Sequence, residues 1–323
     1  MVTALMAAIV ALSGAWSMLA LWLDGPSSRA AAGALAIATA LGSIVLAASI
    51  RPLRRGLIAA MVPLVAVGFW WSNIAPSNDR DWAPDVANTA RASFDGSRVK
   101  IDNVRNFKYR SEDDYDRNWE TRSFDLGQVK GVDLFLSFWG PTMIAHTIVS
   151  WAFDDGRHLA ISIETRKEQG EAYSALRGFF RQYELYYVVA DERDLVGLRT
   201  NCRGEQVFLY QLHVPVAEAR ALLVDYLKRV NRLAERPQWY NALTANCTTT
   251  IRSHTQNIGI SRRLDWRLLV NGRLDELLYE RGEIDTSMPL AELRARSDIT
   301  KRAIAADNSP DFSSRIRQGL PPG

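Results

Sequence analysis

AHTIVSWAFDDGRHLAISIE, residues 145–164, is the stretch from which the fold of this 323-residue chain is most directly read. Two runs rich in β-branched and aromatic side chains flank Asp154, Asp155 and Gly156, a loop composition suited to a tight hairpin. A three-residue loop pairs Phe153 with Arg157. It therefore pairs Trp151 with Leu159, Val149 with Ile161 and Thr147 with Ile163, and gathers the apolar side chains on one face. A two-residue loop scatters them over both faces, so the first register is expected. The same register sets His146 opposite Glu164 on the other face, with Ser162 beside them.

Outward from the hairpin, residues 132–138 have the length and character of a buried strand, and 185–190 and 206–212 read as further strands. Between 216 and 236, Ala219, Leu222, Leu223, Tyr226, Leu227, Val230 and Leu233 recur at helical spacing and form one apolar stripe. Residues 246–256, closed by Gly259, and residues 266–279 read as two more helices. This order implies an α+β fold: a mostly antiparallel sheet with helices packed on it. The segment 77–98, with Pro84 and many small polar residues, reads as a linker, and the domain proper as 99–287. From Met288 to Gly323 the chain is polar and lightly hydrophobic, so a partly disordered tail is expected over 288–323.

Residues 1–76 differ in kind. Three nearly uncharged apolar runs, 3–23, 30–50 and 57–74, each approach the ~20 residues needed to cross a bilayer. They form a three-helix transmembrane anchor, with the lipid bilayer as partner. Arg51, Arg54 and Arg55 lie in the short loop between the second and third runs, and short basic loops stay cytoplasmic. The N-terminus is then cytoplasmic, and everything after about Ser77 lies on the periplasmic side of a bacterial-type inner membrane. The formal net charge is only +3, with arginines interspersed among acids. That pattern disfavours nucleic acid as a partner.

The chemistry centres on Cys247, in Asn246-Cys247-Thr248-Thr249-Thr250. Asn246 and the threonine hydroxyls are natural caps, which sets the thiol at the start of a helix. Unpaired N–H groups there stabilise a thiolate and can receive an oxyanion. Of four histidines, His254 is excluded as its base, because seven residues along a helix is ~10 Å. His158 borders the hairpin loop, and His213 has no readable context. His146, with Glu164 opposite to hold its ring, completes a catalytic set of Cys247, His146 and Glu164. Other fates of Cys247 stay open: a disulfide with Cys202, the only other cysteine, or an inert buried thiol. No His pair at i, i+4 and no C-x-x-C is present, so no metal and no cofactor are expected.

Several motifs in the same order resemble a known family: Ala145-His146-Thr147, the run from Ala160 to Lys167, Asp191-Glu192-Arg193-Asp194, Tyr240-Asn241, and Asn246-Cys247-Thr248-Thr249. They look like the Lnb N-terminal periplasmic domain family, a bacterial family of largely unassigned function, over roughly 133–260. The order of histidine before cysteine is also similar to circularly permuted papain-like (NlpC-type) folds. That likeness implies Cys247 as nucleophile and His146 as base. Two functions follow as expectations. One is a membrane-anchored thiol hydrolase or acyltransferase acting on an envelope amide or ester. The other is a non-catalytic accessory or binding domain for a secreted client or envelope polymer.

Overall fold

The computed structural model describes residues 1–140, 142–245, 247–260, 265–268 and 270–321. The chain divides into two compact units: Met1–Ser77 with Ala172–Glu184, and Asn78–Glu171 with Leu185–Gly323.

The first unit contains α1 (Val2–Asp24), α2 (Arg29–Ser49) and α3 (Leu53–Ser72), each long and apolar enough to cross a bilayer. Small residues allow them to approach closely: Ala20, Ala32, Ala36 and Ala60 are fully or almost fully buried. The third helix starts earlier than the apolar run, at Leu53, and takes in Arg54 and Arg55, because backbone helicity continues past the hydrophobic boundary. Trp71 donates its Nε1–H to Asp24 at 2.6 Å, tying the ends of α3 and α1 together.

The second unit is built on an eight-stranded sheet. Its strands are β1 (Arg91–Asp95), β2 (Arg98–Arg105), β5 (Trp119–Asp125), β6 (Val129–Phe138), β7 (His146–Phe153), β8 (His158–Arg166), β9 (Glu184–Ala190) and β10 (Gln206–Gln211). A small hairpin, β3 (Lys108–Tyr109) with β4 (Tyr115–Asp116), stands apart. The sheet order is β1-β2-β9-β8-β7-β6-β10, with β5 paired to β2. Its described ladders are antiparallel except for one parallel contact between β2 and β9. The β7–β8 register is the expected one: Trp151 pairs with Leu159 and Val149 with Ile161. Gly156 turns the loop at φ +83°, a conformation that favours glycine.

Helices cover both faces. The larger core packs Val149, Trp151, Leu159 and Ile161 against Leu223, Tyr226 and Leu227 of α5 (Val216–Glu235), and Leu274 and Leu277 join it. All seven expected stripe residues of α5 are buried. Trp151 donates its indole N–H to Ala219 O at 2.8 Å, fixing α5 across the hairpin. The second face buries Ile148, Ala160, Val188 and Leu209 under α4 (Glu192–Gly197), which continues as a π turn over Leu198–Cys202.

Three expectations are corrected. The supposed linker 77–98 already belongs to the fold, since it supplies β1 and buries Trp82 and Val86. The Arg166 guanidinium lies 4.2 Å from the Trp82 ring and donates to the carbonyls of Val86 and Ala87 at 3.0 and 2.7 Å, which gives this polar stretch its fixed course. Helix 266–279 is broken into 3-10 turns at Trp266–Leu268 and Asn271–Arg273 before α7 (Leu274–Glu280). Within the second of these turns Gly272 lies against another backbone: a Cβ there would stand 1.9 Å from Thr142 O.

The tail beyond Met288 also packs. It forms α8 (Leu290–Ser297), α9 (Thr300–Ala306) and α10 (Phe312–Ile316), burying Leu293, Ile299, Ala303, Phe312 and Ile316. These apolar residues are sparse in the sequence, but helical spacing concentrates most of them on the second face of the sheet. Pro322 and Gly323 lie outside the described residues.

Candidate functional site

Cys247 opens α6 (Cys247–Asn257), the expected helix, and packs on the larger core. Asn246, expected as its cap, lies outside the described residues. The Cys247 Sγ has Thr248 Oγ1 at 3.8 Å and Asn271 Nδ2 at 3.9 Å. Asn271 is the joint of this region. Buried to within 4% of its surface, it accepts from Ala145 N at 2.9 Å and donates to Ala145 O and to Thr248 Oγ1, both at 2.6 Å. One side chain thus ties the entry of β7 to the first turn of α6. The Gly272 N–H adds a bond to Met143 O at 3.0 Å. The Tyr226 hydroxyl lies close enough to interact electrostatically with Cys247, and it has no hydrogen-bond partner among the described residues.

Along the chain, Met143 and Ile144 precede Ala145, Leu243 precedes the helix, and Trp266 sits beside Arg273. All four large apolar side chains are exposed.

His146 and Glu164 come together on the opposite face. Strand alternation sends Ala145, Val149 and Trp151 to the larger core, and His146 shares the parity of Ile148 on the second face. Its Nε2 lies 2.6 Å from Ser162 Oγ, and Ser162 donates to Glu164 Oε1 at 2.7 Å. With the serine proton spent on Glu164, the imidazole carries its own proton on Nε2 and leaves Nδ1 as the lone-pair nitrogen. His146 Nε2 and Glu164 Oε1 are 3.7 Å apart.

Arg199 donates to Glu164 at 3.0 Å and to Glu205 at 3.2 Å, and Ser137 donates to Glu205 at 2.5 Å. Burial, with help from the Arg199 charge, pushes the His146 imidazole down to about 3. At Glu164 burial acts upward, but Arg199 and His146 outweigh it and hold the carboxyl well below its ordinary range. Of the expected catalytic set, then, the structure brings His146 and Glu164 together and sets Cys247 across the sheet from both. No histidine lies within hydrogen-bonding reach of Cys247 among the described residues.

The other histidines take different roles. His254, on α6, is locked at both nitrogens: Nε2 faces Tyr187 Oη at 2.7 Å, Nδ1 faces Asp225 Oδ2 at 2.6 Å, and the ring stacks on Tyr226 at 3.7 Å. Burial outweighs Asp225 and pushes it down to about 4. His158 joins Asp133 and Glu192 in a group whose ligand atoms lie within 4.8 Å of one another, a divalent-metal composition. Arg317 already occupies the two carboxylates, however, pairing with Asp133 at 2.5 Å and Glu192 at 2.6 Å. Cys202 and Cys247 are both free thiols, and burial pushes the Cys202 thiol up, away from nucleophilic character.

Two participants escaped the sequence reading. Asn271 was absorbed into a supposed continuous helix, although the Asn-Gly dipeptide is a turn signal that could have exposed it. Arg199 gave no signal, since only the packing of α4 on the sheet delivers it to Glu164.

Residues 115–272 match the family model of the Lnb N-terminal periplasmic domain. No curated protein and no solved structure matches the chain. The matched stretch runs from β4 through the Asn271 joint and includes Cys247, His146 and Glu164. Over residues 115–272 the chain is thus similar to the Lnb N-terminal periplasmic domain.

Proposed function

We propose that this domain is a membrane-tethered, papain-like thiol hydrolase or acyltransferase acting on an amide or ester of the cell envelope. Cys247 is the nucleophile, His146 the proton shuttle and Glu164 the group that orients His146. The domain stands on the periplasmic face, with the N-terminus of α1 in the cytoplasm, as the basic loop at Arg51, Arg54 and Arg55 requires. The observation that carries the reading is the setting of Cys247: a partly buried thiol in the first turn of a helix, beside the buried amide of Asn271.

In the reaction, the Cys247 thiol loses its proton to His146 and attacks the substrate carbonyl. The tetrahedral oxyanion is met by N–H groups of the first turn of α6. As the C–N or C–O bond breaks, the imidazolium returns the proton to the leaving group, and water or an amine then resolves the thioester. His146 works away from its resting position, because an imidazole held down to about 3 beside Arg199 is too weak a base for a thiol. It must exchange Ser162 for Cys247 around the end of β7, next to the Ala145 backbone that Asn271 already ties to α6.

The test uses the full-length chain in lipid nanodiscs and follows alkylation of Cys247 and Cys202 by mass spectrometry at neutral pH. The expected result is alkylation of Cys247 faster than Cys202, slowed by a factor on the order of 10²–10⁴ in His146→Ala. A hydroxylamine-labile adduct on Cys247 after exposure to an activated fatty acyl ester is also expected. Indifference of Cys247 to His146, with no thioester, would sink the reading. A second reading has its own support: the commitment of His146 to Ser162, with no histidine within hydrogen-bonding reach of Cys247 among the described residues, suits a non-catalytic accessory domain for a secreted client or envelope polymer. That outcome corresponds to the indifferent thiol.

A further inference from the structure

The segment 172–184 connects β8 to β9, yet it packs with the three apolar helices instead of the sheet. Its backbone and side chains are bonded to one end of that bundle. Gln182 Nε2 donates to Leu23 O at 3.0 Å and to Asp24 Oδ1 at 2.7 Å, and Arg181 N donates to Asp24 Oδ2 at 3.2 Å. The Arg181 guanidinium lies 4.2 Å from the Trp71 ring, and Phe180 is buried with Ala20, Leu21 and Val67. The fold therefore holds this connection at the level where α1 and α3 end, marked by Asp24 and Trp71. Tryptophans commonly mark the membrane–water boundary.

At that level the segment turns large apolar side chains outward. Tyr173, Leu176 and Phe179 are 52%, 53% and 39% exposed, although Tyr183 and Phe180 beside them are buried. A short 3-10 turn, Arg177–Phe179, sets the apolar Leu176 and Phe179 on either side of the basic Arg177. Apolar and basic groups interleaved in this way are the composition of a surface lying in the headgroup and upper acyl region of a bilayer. Exposure of such side chains to water is unfavourable, and the upper acyl region removes that exposure.

We propose that Tyr173–Phe179 is an interfacial membrane foot: it dips into the leaflet at the Asp24 end of the helices and extends the apolar belt that the helices establish. The occupant of the patch is lipid, because the patch is continuous with helices built to be covered by lipid and is hydrogen-bonded to their ends. The consequence is that the chain meets the bilayer surface a second time, in the connection between β8 and β9, after it has left the helices at Ser77.

The test takes the unmodified full-length chain in phosphatidylcholine nanodiscs doped with a phospholipid carrying a diazirine on an upper acyl carbon. Photolysis is followed by proteolysis and mass spectrometry. Lipid adducts are expected on peptides covering Tyr173–Phe180 as well as on the ends of the helices, with none on the peptide carrying Ile304, an exposed apolar residue of the other unit. Leu176→Ser/Phe179→Ser should lose the adducts on 173–180 and keep those on the helices. Labelling of 173–180 no greater than at Ile304 overturns the proposal, as would docking of a protein on the patch that shields it from lipid.

Discussion

The two faces of the central sheet are built on different physics, although the same strands supply both. One face is an apolar core, with Trp151, Tyr226, Leu223 and Leu227 packed together and single polar side chains such as Asn271 and His254 hydrogen-bonded within it. The other face has a smaller apolar cluster threaded by buried ions: Arg105 with Asp194, Arg199 with Glu164 and Glu205, and Arg317 with Asp133 and Glu192. The apolar face holds a free thiol at a helix start, Cys247. The ionic face holds its carboxylates by arginines, and burial there keeps His146 neutral. The difference shows that Cys247 and His146, on opposite faces of one sheet, rest in environments with opposite electrostatic demands.

The comparison is most exposed at Arg317. Arg317→Met leaves Asp133 and Glu192 as buried carboxylates without a cation, and removal of one partner from a buried ionic set costs about 3–5 kcal/mol. Chemical denaturation of the full chain should show that loss. A cost below about 1 kcal/mol would mean the second face is not held by its ions.

On the apolar face the corresponding probe is Asn271→Ala, which strands the Ala145 N–H and C=O and the Thr248 hydroxyl. The expected cost is about 2 kcal/mol, with slower alkylation of Cys247. Unchanged stability and unchanged thiol reactivity together would remove Asn271 from its role as the joint.

The smallest effect sharpens the comparison by pH. Burial pushes both imidazoles down, to about 3 at His146 and about 4 at His254, from an ordinary value of 6.5. Below about pH 6.5 the unfolded chain takes up protons that the folded chain refuses. Their contribution is therefore fully present above that pH and is lost as pH falls towards the folded values. Each histidine should contribute a slope of roughly 1.4 kcal/mol per pH unit between about pH 6 and 4.5. His146→Gln and His254→Gln should each remove about half of the slope, read from denaturation midpoints across that window. A slope that survives both substitutions assigns the acid sensitivity to the carboxylates instead.

How far the sequence could be read depended on the distance over which each signal acts. The β7–β8 register follows from alternation within twenty residues, and the α5 stripe from a period of 3.6, so both could be read locally. The pairing of His146 with Glu164 followed from that register, but the serine between them and Arg199 behind them did not appear as a network until α4 was docked. Burial of Trp82 and the packing of α8 to α10 were hidden because their apolar residues are too sparse to stand out from a polar average.

The sequence by itself determined the apolar anchor, the α+β order, the hairpin with its facing histidine and glutamate, and a thiol at the start of a helix. Each of these is a local consequence of periodicity or residue chemistry. Only the tertiary structure decided which face of the sheet receives α6, that Asn271 joins it to β7, that the last helices cover an ionic face, and that the β8–β9 connection packs with the membrane helices. Those outcomes depend on contacts between segments far apart in the chain, and no local pattern encodes which distant surface will satisfy a buried polar group.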